Sequence, residues 1–160
     1  MARVYVDPGV KGCGLALFEG QNLVWACYVS RTRRPKHRLA GPDRNDLIDL
    51  TTGFEIDGGL VEHMRIRPEA LRKGDQNDLV DVAFIAGGLA FLWGLHPVKP
   101  ETWKGQVPKG IMVNRIMCRL TEDEAESVTW PSKGSPSKGL NHNVADAVGI
   151  GLWDNRRLPS

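Results

Sequence analysis

Arg3-Val4-Tyr5-Val6-Asp7-Pro8-Gly9 is the stretch that decides the fold. Its β-branched and aromatic side chains predict a strand over residues 4–7, and Pro8-Gly9 predicts the end of it, by removing a backbone donor and then loosening the chain. Asp7 therefore falls at the C-terminal edge of a core strand. A charge there is costly unless a proton, a hydrogen-bond network or a cation compensates it. The rest of the chain offers Glu62, His142, Asn143 and Asp146, which are expected to converge with Asp7 on one or two divalent metals.

The 160 residues suit one domain with one hydrophobic core, and 41% hydrophobic with 25% charged residues is ordinary for a water-soluble fold. The most apolar stretch, residues 82–95, is too short to cross a bilayer. Met1-Ala2-Arg3 leads into a strand pattern rather than a signal-peptide core, so a cytoplasmic protein is expected. Cys13, Cys27 and Cys118 are far apart and lack Cys-x-x-Cys spacing. That argues against structural zinc or disulfides and for buried thiols. A net charge of +2 identifies no partner, but its distribution is uneven.

Two further strands are predicted over residues 13–18 and 23–29, joined by the turn Glu19-Gly20-Gln21-Asn22. Gly9, Gly12 and Gly14 either serve only a turn and a twisted strand or let a ligand or another chain segment approach the backbone. Arg31, Arg33, Arg34, Lys36, Arg38 and Arg44 then follow closely, with His37 among them and Asp43 opposing. This run reads as a solvated loop or as a phosphate-binding arm. A short helix over residues 42–52 would pack Leu47, Ile48 and Leu50.

A central strand is predicted over residues 60–66, where period-two alternation puts Leu60, Glu62, Met64 and Ile66 on one face. Glu62 is the exception on an apolar face. Residues 67–76 form a loop carrying Arg67, Arg72 and Lys73, and Asn77 is expected to cap a helix over residues 78–93. Gly87 and Gly88 inside that helix permit close approach to the sheet or to another subunit. An edge strand through Val98, a loop over residues 103–109, a helix over 111–120 and a Thr121–Glu124 capping box come next. Residues 130–141, with Lys133 and Lys138, form a loop expected to be flexible; a closing helix starts near His142 or Asn143, and residues 155–160 fray.

His142 and Asn143 lie four and three residues before Asp146, spacings that put each on a neighbouring turn of one helix face. Three acids on two strands and a helix, with an imidazole beside the third, suit hard divalent cations. Two such ions can clamp the attacking and leaving oxygens of an in-line phosphoryl displacement. His142 would hold a softer ion or move a proton. Arg31, Arg33, Arg34, Lys36, Arg38, Arg65, Arg67, Arg72, Lys73, Lys104, Lys109, Lys133 and Lys138 are the candidate phosphate contacts.

With these residues assembled, the chain resembles the RuvC-type Holliday-junction resolvases of the ribonuclease-H-like superfamily, in particular their short bacteriophage and prophage members. The likeness rests on Val4-Tyr5-Val6-Asp7-Pro8-Gly9, Leu60-Val61-Glu62, Trp103-Lys104-Gly105-Gln106-Val107-Pro108-Lys109, and the segment from His142 to Gly149. It implies an α/β fold: a five-stranded mixed sheet, the first three strands antiparallel, flanked by helices. It also implies a homodimer that cuts branched DNA, the four-way junction above all, with Mg2+ or Mn2+. The resemblance further implies two ions per active site during catalysis and a cut that leaves 5′-phosphate and 3′-hydroxyl ends. No membrane and no nucleotide cofactor are implied.

By position, Asp7, Glu62 and Asp146 match the family's metal ligands. The family commonly has an acid or histidine three residues before the last aspartate, where this chain has Asn143, so either Asn143 or the neighbouring His142 fills the fourth place. Well-studied resolvases carry an aromatic wedge just after the glutamate strand. Here Arg65, Ile66 and Arg67 follow, and the first aromatic is Phe84. Two alternatives stay open: a ribonuclease-H-like nuclease for hybrid or flap substrates, and a non-catalytic DNA-binding module of the same fold.

Overall fold

The first hairpin sets the architecture. In a computed structural model, which describes residues 1–9, 11–30, 44–63 and 76–159, β1 (Ala2–Gly9) pairs antiparallel with β2 (Gly12–Glu19), and β2 with β3 (Asn22–Ser30). β4 (Ile56–Glu62) and β5 (Leu95–Val98) add in parallel, giving the order β3-β2-β1-β4-β5. Helices α1 (Arg44–Thr51) and α2 (Gln76–Trp93) connect β3 to β4 and β4 to β5. After β5 come α3 (Pro100–Trp103), α4 (Lys109–Met117), α5 (Glu122–Glu126) and α6 (Asn141–Asp154). The α/β class, the five-stranded mixed sheet and its antiparallel first strands are as the sequence led us to expect.

Pro8-Gly9 does not end β1. Pro8 pairs with Cys13 and Gly9 with Gly12, while the pairing of β1 with β4 stops at Val6–Val61. Past Val6 the strand has a neighbour on one side only, and there a residue without an N–H is tolerated. At its other end β1 meets a bulge: Ala2 pairs with Ile56 but Val4 with Gly59, so β4 carries one residue more than β1. Gly58 and Gly59 absorb it with φ of +85° and +147°, and a Cβ on Gly59 would lie 1.8 Å from the Val4 carbonyl oxygen.

Both faces of the sheet are covered, which explains the nearly unbroken burial of β1 and β2. Val4, Val6, Leu15 and Leu17 pack with Leu47, Val61, Ile85 and Leu89 on the α1–α2 side. Tyr5, Ala16 and Phe18 pack with Trp103, Met112, Ile116, Val148 and Ile150 on the other. α6 can lie close because Gly149 and Gly151 have no side chains; a Cβ would meet Trp103 and Ile116 at the first, and Phe18 at the second.

Several local expectations are corrected. β4 begins at Ile56 and stops at Glu62 instead of running over 60–66; Met64, Arg65 and Ile66 lie outside the described residues. α2 already includes Asn77, so Asn77 is not its cap. Ile48 and Ile111 are exposed rather than packed, and Met112 and Val113 fill the place expected for Ile111. Trp103 is fully buried at the end of a short helix. Among the thiols Cys13 is buried, Cys27 is partly so and Cys118 is exposed. Up to Leu158 the tail is docked, with Leu158 in the core and Arg157 bonded to Glu124, the Arg119 carbonyl and the Gln21 carbonyl. The Thr121–Glu124 capping box is present as expected. No described helix is long and apolar enough to cross a membrane.

Candidate active site

Strand parity decides which acids meet. Tyr5 packs on the α6 side of the sheet, so Asp7, two residues on, points the same way; Leu60 and Glu62 repeat the relation on β4. α6 brings Asp146 from above. It starts against the first hairpin, where a Cβ on Gly14 would stand 2.0 Å from the Asn143 carbonyl oxygen and one on Gly9 would stand 3.0 Å from Asn143 Nδ2. The glycines after Asp7 thus admit another chain segment, one of the two uses the sequence allowed.

Asp7, Glu62, His142, Asn143 and Asp146 line one cleft of about 460 Å³, together with Lys104, Lys109 and the apolar side chains of Val82, Val107 and Met112. All five candidate catalytic and metal-ligating residues therefore reach one place. Asp7, Asn143 and Asp146 are buried. His142 is N-terminal on α6, and its Nδ1–H donates to the Gly139 carbonyl oxygen, the arrangement that in a neutral ring leaves the lone pair on Nε2.

Burial, then the charges of Glu62 and Asp146, push the Asp7 carboxyl well above the usual carboxylate range. Glu62 is also shifted up by burial, with Asp146 adding to the shift and Lys104 opposing it. The Lys104 ammonium lies 3.2 Å from Glu62 Oε2 and 3.1 Å from Asp146 Oδ2, and 4.7 Å from the centre of the Trp103 ring. Burial works against its charge, but Asp146 and Glu62 outweigh it and hold Lys104 protonated above its ordinary value. Trp103 Nε1 donates to Glu62 Oε2 at 2.9 Å.

Among the described residues, no three of His, Cys, Asp and Glu stand close enough to hold one ion between them. The donor chemistry nonetheless fits a hard divalent cation: carboxylates and an amide oxygen on the wall of an open cleft. A cation already bridges two of those carboxylates, and it is Lys104. The residues suit a metal by their chemistry, then, on two conditions: the ammonium gives way, and the carboxylates draw closer around the ion.

Lys104 and Lys109 are the only proposed phosphate contacts on the described cleft wall. Lys133 and Lys138 are exposed in the segment before α6, which Asn141 ties down through bonds to Ser132 and the Ser135 carbonyl. Arg31, Arg33, Arg34, Lys36, Arg38, Arg65, Arg67, Arg72 and Lys73 lie outside the described residues. The sequence reading missed the part played by Trp103 and the pairing of Lys104 with the acids. An indole in a supposed loop was the available signal, since a tryptophan both buries its ring and seeks an acceptor for its N–H.

No protein-family model matches this chain, and neither does any curated protein. Solved structures do. Thermus thermophilus RuvC superposes with a TM-score of 0.55 at 14% identity, over 95% of this chain and 92% of that one. The same protein in complex with Holliday junction substrate gives 0.51 at 17% identity, over 95% and 91%. The fold is that of these RuvC structures. Fowlpox virus resolvase, in a complex with substrate Holliday junction DNA, matches it at a TM-score of 0.51 and 14% identity over 98% and 99% of the two chains. At these identities the likeness is one of fold, extending over nearly the whole of each chain.

Proposed function

We propose that this protein is a divalent-metal-dependent, structure-selective endodeoxyribonuclease, a crossover junction resolvase that cleaves four-way and other branched DNA and leaves 5′-phosphate and 3′-hydroxyl ends. One observation carries the reading: Asp7 from β1, Glu62 from β4 and Asp146 from α6, far apart in the chain, line the same cleft, with Asp7 and Asp146 buried and Glu62 half-buried, a gathering of acids that is costly for packing alone. In this reading residues 1–160 act as a single nuclease domain, and the basic residues between 31 and 44 and the lysines of the segment 130–141 are its proposed DNA contacts.

Asp7, Glu62 and Asp146, with Asn143 or His142 in the fourth place, would hold Mg2+ or Mn2+, two per site during turnover. Bound there, the ions would supply Lewis-acid stabilisation of the charge that builds on the phosphodiester. The chain's own groups do the rest. Trp103 fixes one oxygen of Glu62, and the Gly139 carbonyl fixes the His142 ring so that Nε2 can take a proton from attacking water. Lys104 and Lys109 bring positive charge to the cleft where a phosphate enters. The exposed side chains of Val80, Phe84 and Phe91 on α2 support a homodimer, with two clefts for two opposed strands.

The ion pairs of Lys104 favour a second reading, a DNA-binding module of this fold whose acids are neutralised internally. One assay separates the two: end-labelled four-way, flap, RNA–DNA hybrid and linear duplex substrates, each with Mg2+, Mn2+ or EDTA. The nuclease reading expects metal-dependent cutting of branched DNA first, and binding without cutting by Asp7→Asn. Binding without cutting by the wild type in either metal selects the module, and equal cutting of all four substrates removes the resolvase.

A further inference from the structure

We infer that Lys104 is a displaceable internal cation, which closes the carboxylate site in the free protein and must leave before a divalent ion enters. The inference rests on the metal reading above and adds to it a regulatory contact built into the site. Its ammonium sits between Glu62 and Asp146, within 3.2 Å of both, so it occupies oxygen lone pairs that a divalent ion would need.

The surrounding chain makes this an exchangeable contact. Trp103, next in sequence, is fully buried and bonded to Glu62, so the backbone before Lys104 is anchored. Gly105, after it, has a φ of +58° and an open surround, and the Lys104 side chain keeps 24% of its surface exposed. Its long stem can therefore swing the ammonium into solvent while Trp103 and Glu62 stay in place. Leaving costs two partly buried ion pairs, and a divalent ion has to supply that free energy from its own binding. If the closed arrangement holds 90% or more of the free protein, the apparent dissociation constant is about tenfold or more weaker than that of the open site. Linkage requires the converse, that metal drives Lys104 outward.

Mn2+ binding measured by the electron paramagnetic resonance of the free ion tests this without reference to activity. Lys104→Met should bind Mn2+ at least tenfold more tightly than the wild type, while Lys104→Arg, which keeps the charge, should stay near it. In the wild type, saturating Mn2+ should speed acetylation of Lys104 by acetic anhydride several-fold, read by peptide mass spectrometry against Lys133 as an internal standard. A folded Lys104→Met that binds Mn2+ no better than the wild type overturns the inference, as does acetylation of Lys104 indifferent to Mn2+. Should Lys104→Met fail to fold, Lys104→Gln and the acetylation of the wild type decide it. Absence of Mn2+ binding by wild type and variants alike removes the metal reading itself, and this inference with it.

Discussion

Trp103 Nε1 donates a 2.9 Å hydrogen bond to Glu62 Oε2, coupling the largest fully buried side chain of the core to an acid of the cleft. Trp103→Phe keeps most of the apolar contact but leaves that oxygen to Lys104 alone. A hydrogen bond to a charged group contributes about 1.5–3 kcal/mol, so a stability loss of this order is expected in urea unfolding. Because Glu62 would also lose its orientation, turnover should fall by about 10–100-fold with branched-DNA affinity unchanged. Equal losses in affinity and turnover would mean that Trp103 matters only for folding.

Asp7 is expected to destabilise the metal-free protein. Its folded pKa is raised by burial and by Glu62 and Asp146, so the native state binds more protons than the unfolded chain over the window between the two values. Stability associated with Asp7 is full below the unfolded value and is lost as pH rises through the folded one. At pH 7 Asp7→Asn removes that penalty. We expect a gain of about 1–2 kcal/mol in EDTA, roughly 2–8 °C in melting temperature, with cleavage lowered by more than about a thousandfold. A lower melting temperature in EDTA would show that the charge is compensated by contacts other than those described.

The sequence made the strands and the acids legible because both have short-range signatures: β-branched runs, and carboxylates at positions that alternation sends inward. Pro8 misled because tolerance of a missing N–H depends on whether β4 still runs alongside, a fact of pairing and not of local sequence. Trp103 and Arg157 were misread for a related reason. A tryptophan among Lys and Gly residues, and an arginine in a polar tail, look solvated until the distant Glu62 and Glu124 come into reach. Lys104 was legible as a cation near a phosphate site but not as the partner of Glu62 and Asp146, since that contact spans β4, α3 and α6.

Gly14 lies under the first turn of α6. A Cβ there would stand 2.0 Å from the Asn143 carbonyl oxygen and 2.6 Å from the Val144 nitrogen, both backbone atoms that cannot rotate away. Gly14→Ala should cost about 3 kcal/mol or more and lift the start of α6, carrying Asn143 and Asp146 from Asp7. Gly20→Ala, at an open turn with φ of +57°, should cost only about 1 kcal/mol and leave cleavage unchanged. Melting curves and cleavage rates for the pair check it. Similar behaviour of the two variants would contradict the close packing of α6 on the hairpin.

α2 exposes Val80, Phe84 and Phe91, at 64%, 63% and 93% of their surfaces, along one side of the helix. Gly87 and Gly88 between them have open space above, so a second helix could come close. In the homodimer reading this face is the contact. The double variant Phe84→Asp, Phe91→Asp should then run as a monomer in size-exclusion chromatography with light scattering, where the wild type runs as a dimer at micromolar concentration, and its circular dichroism should be unchanged. A wild type that is monomeric there, or a variant that is still dimeric, rejects this surface.

Glu124 ties three elements together. Its carboxylate accepts from Leu23 N at the start of β3, from Thr121 N at the cap of α5, and from both terminal nitrogens of Arg157 at 2.5 and 2.7 Å. Burial works against the charge, yet the Arg157 guanidinium and the two backbone donors prevail and bring the pKa down to about 2. A folded value below the unfolded one, about 4.3, gives stability that is full above the unfolded value and is lost as pH falls toward 2. Glu124→Gln has the shape of the protonated acid at every pH. It should therefore cost on the order of 2–3 kcal/mol at pH 7 and much less at pH 2.5, where the wild type itself approaches protonation. Urea unfolding of both proteins at the two pH values measures the gap, and a gap of the same size at each would show that the carboxylate charge is not what holds the tail.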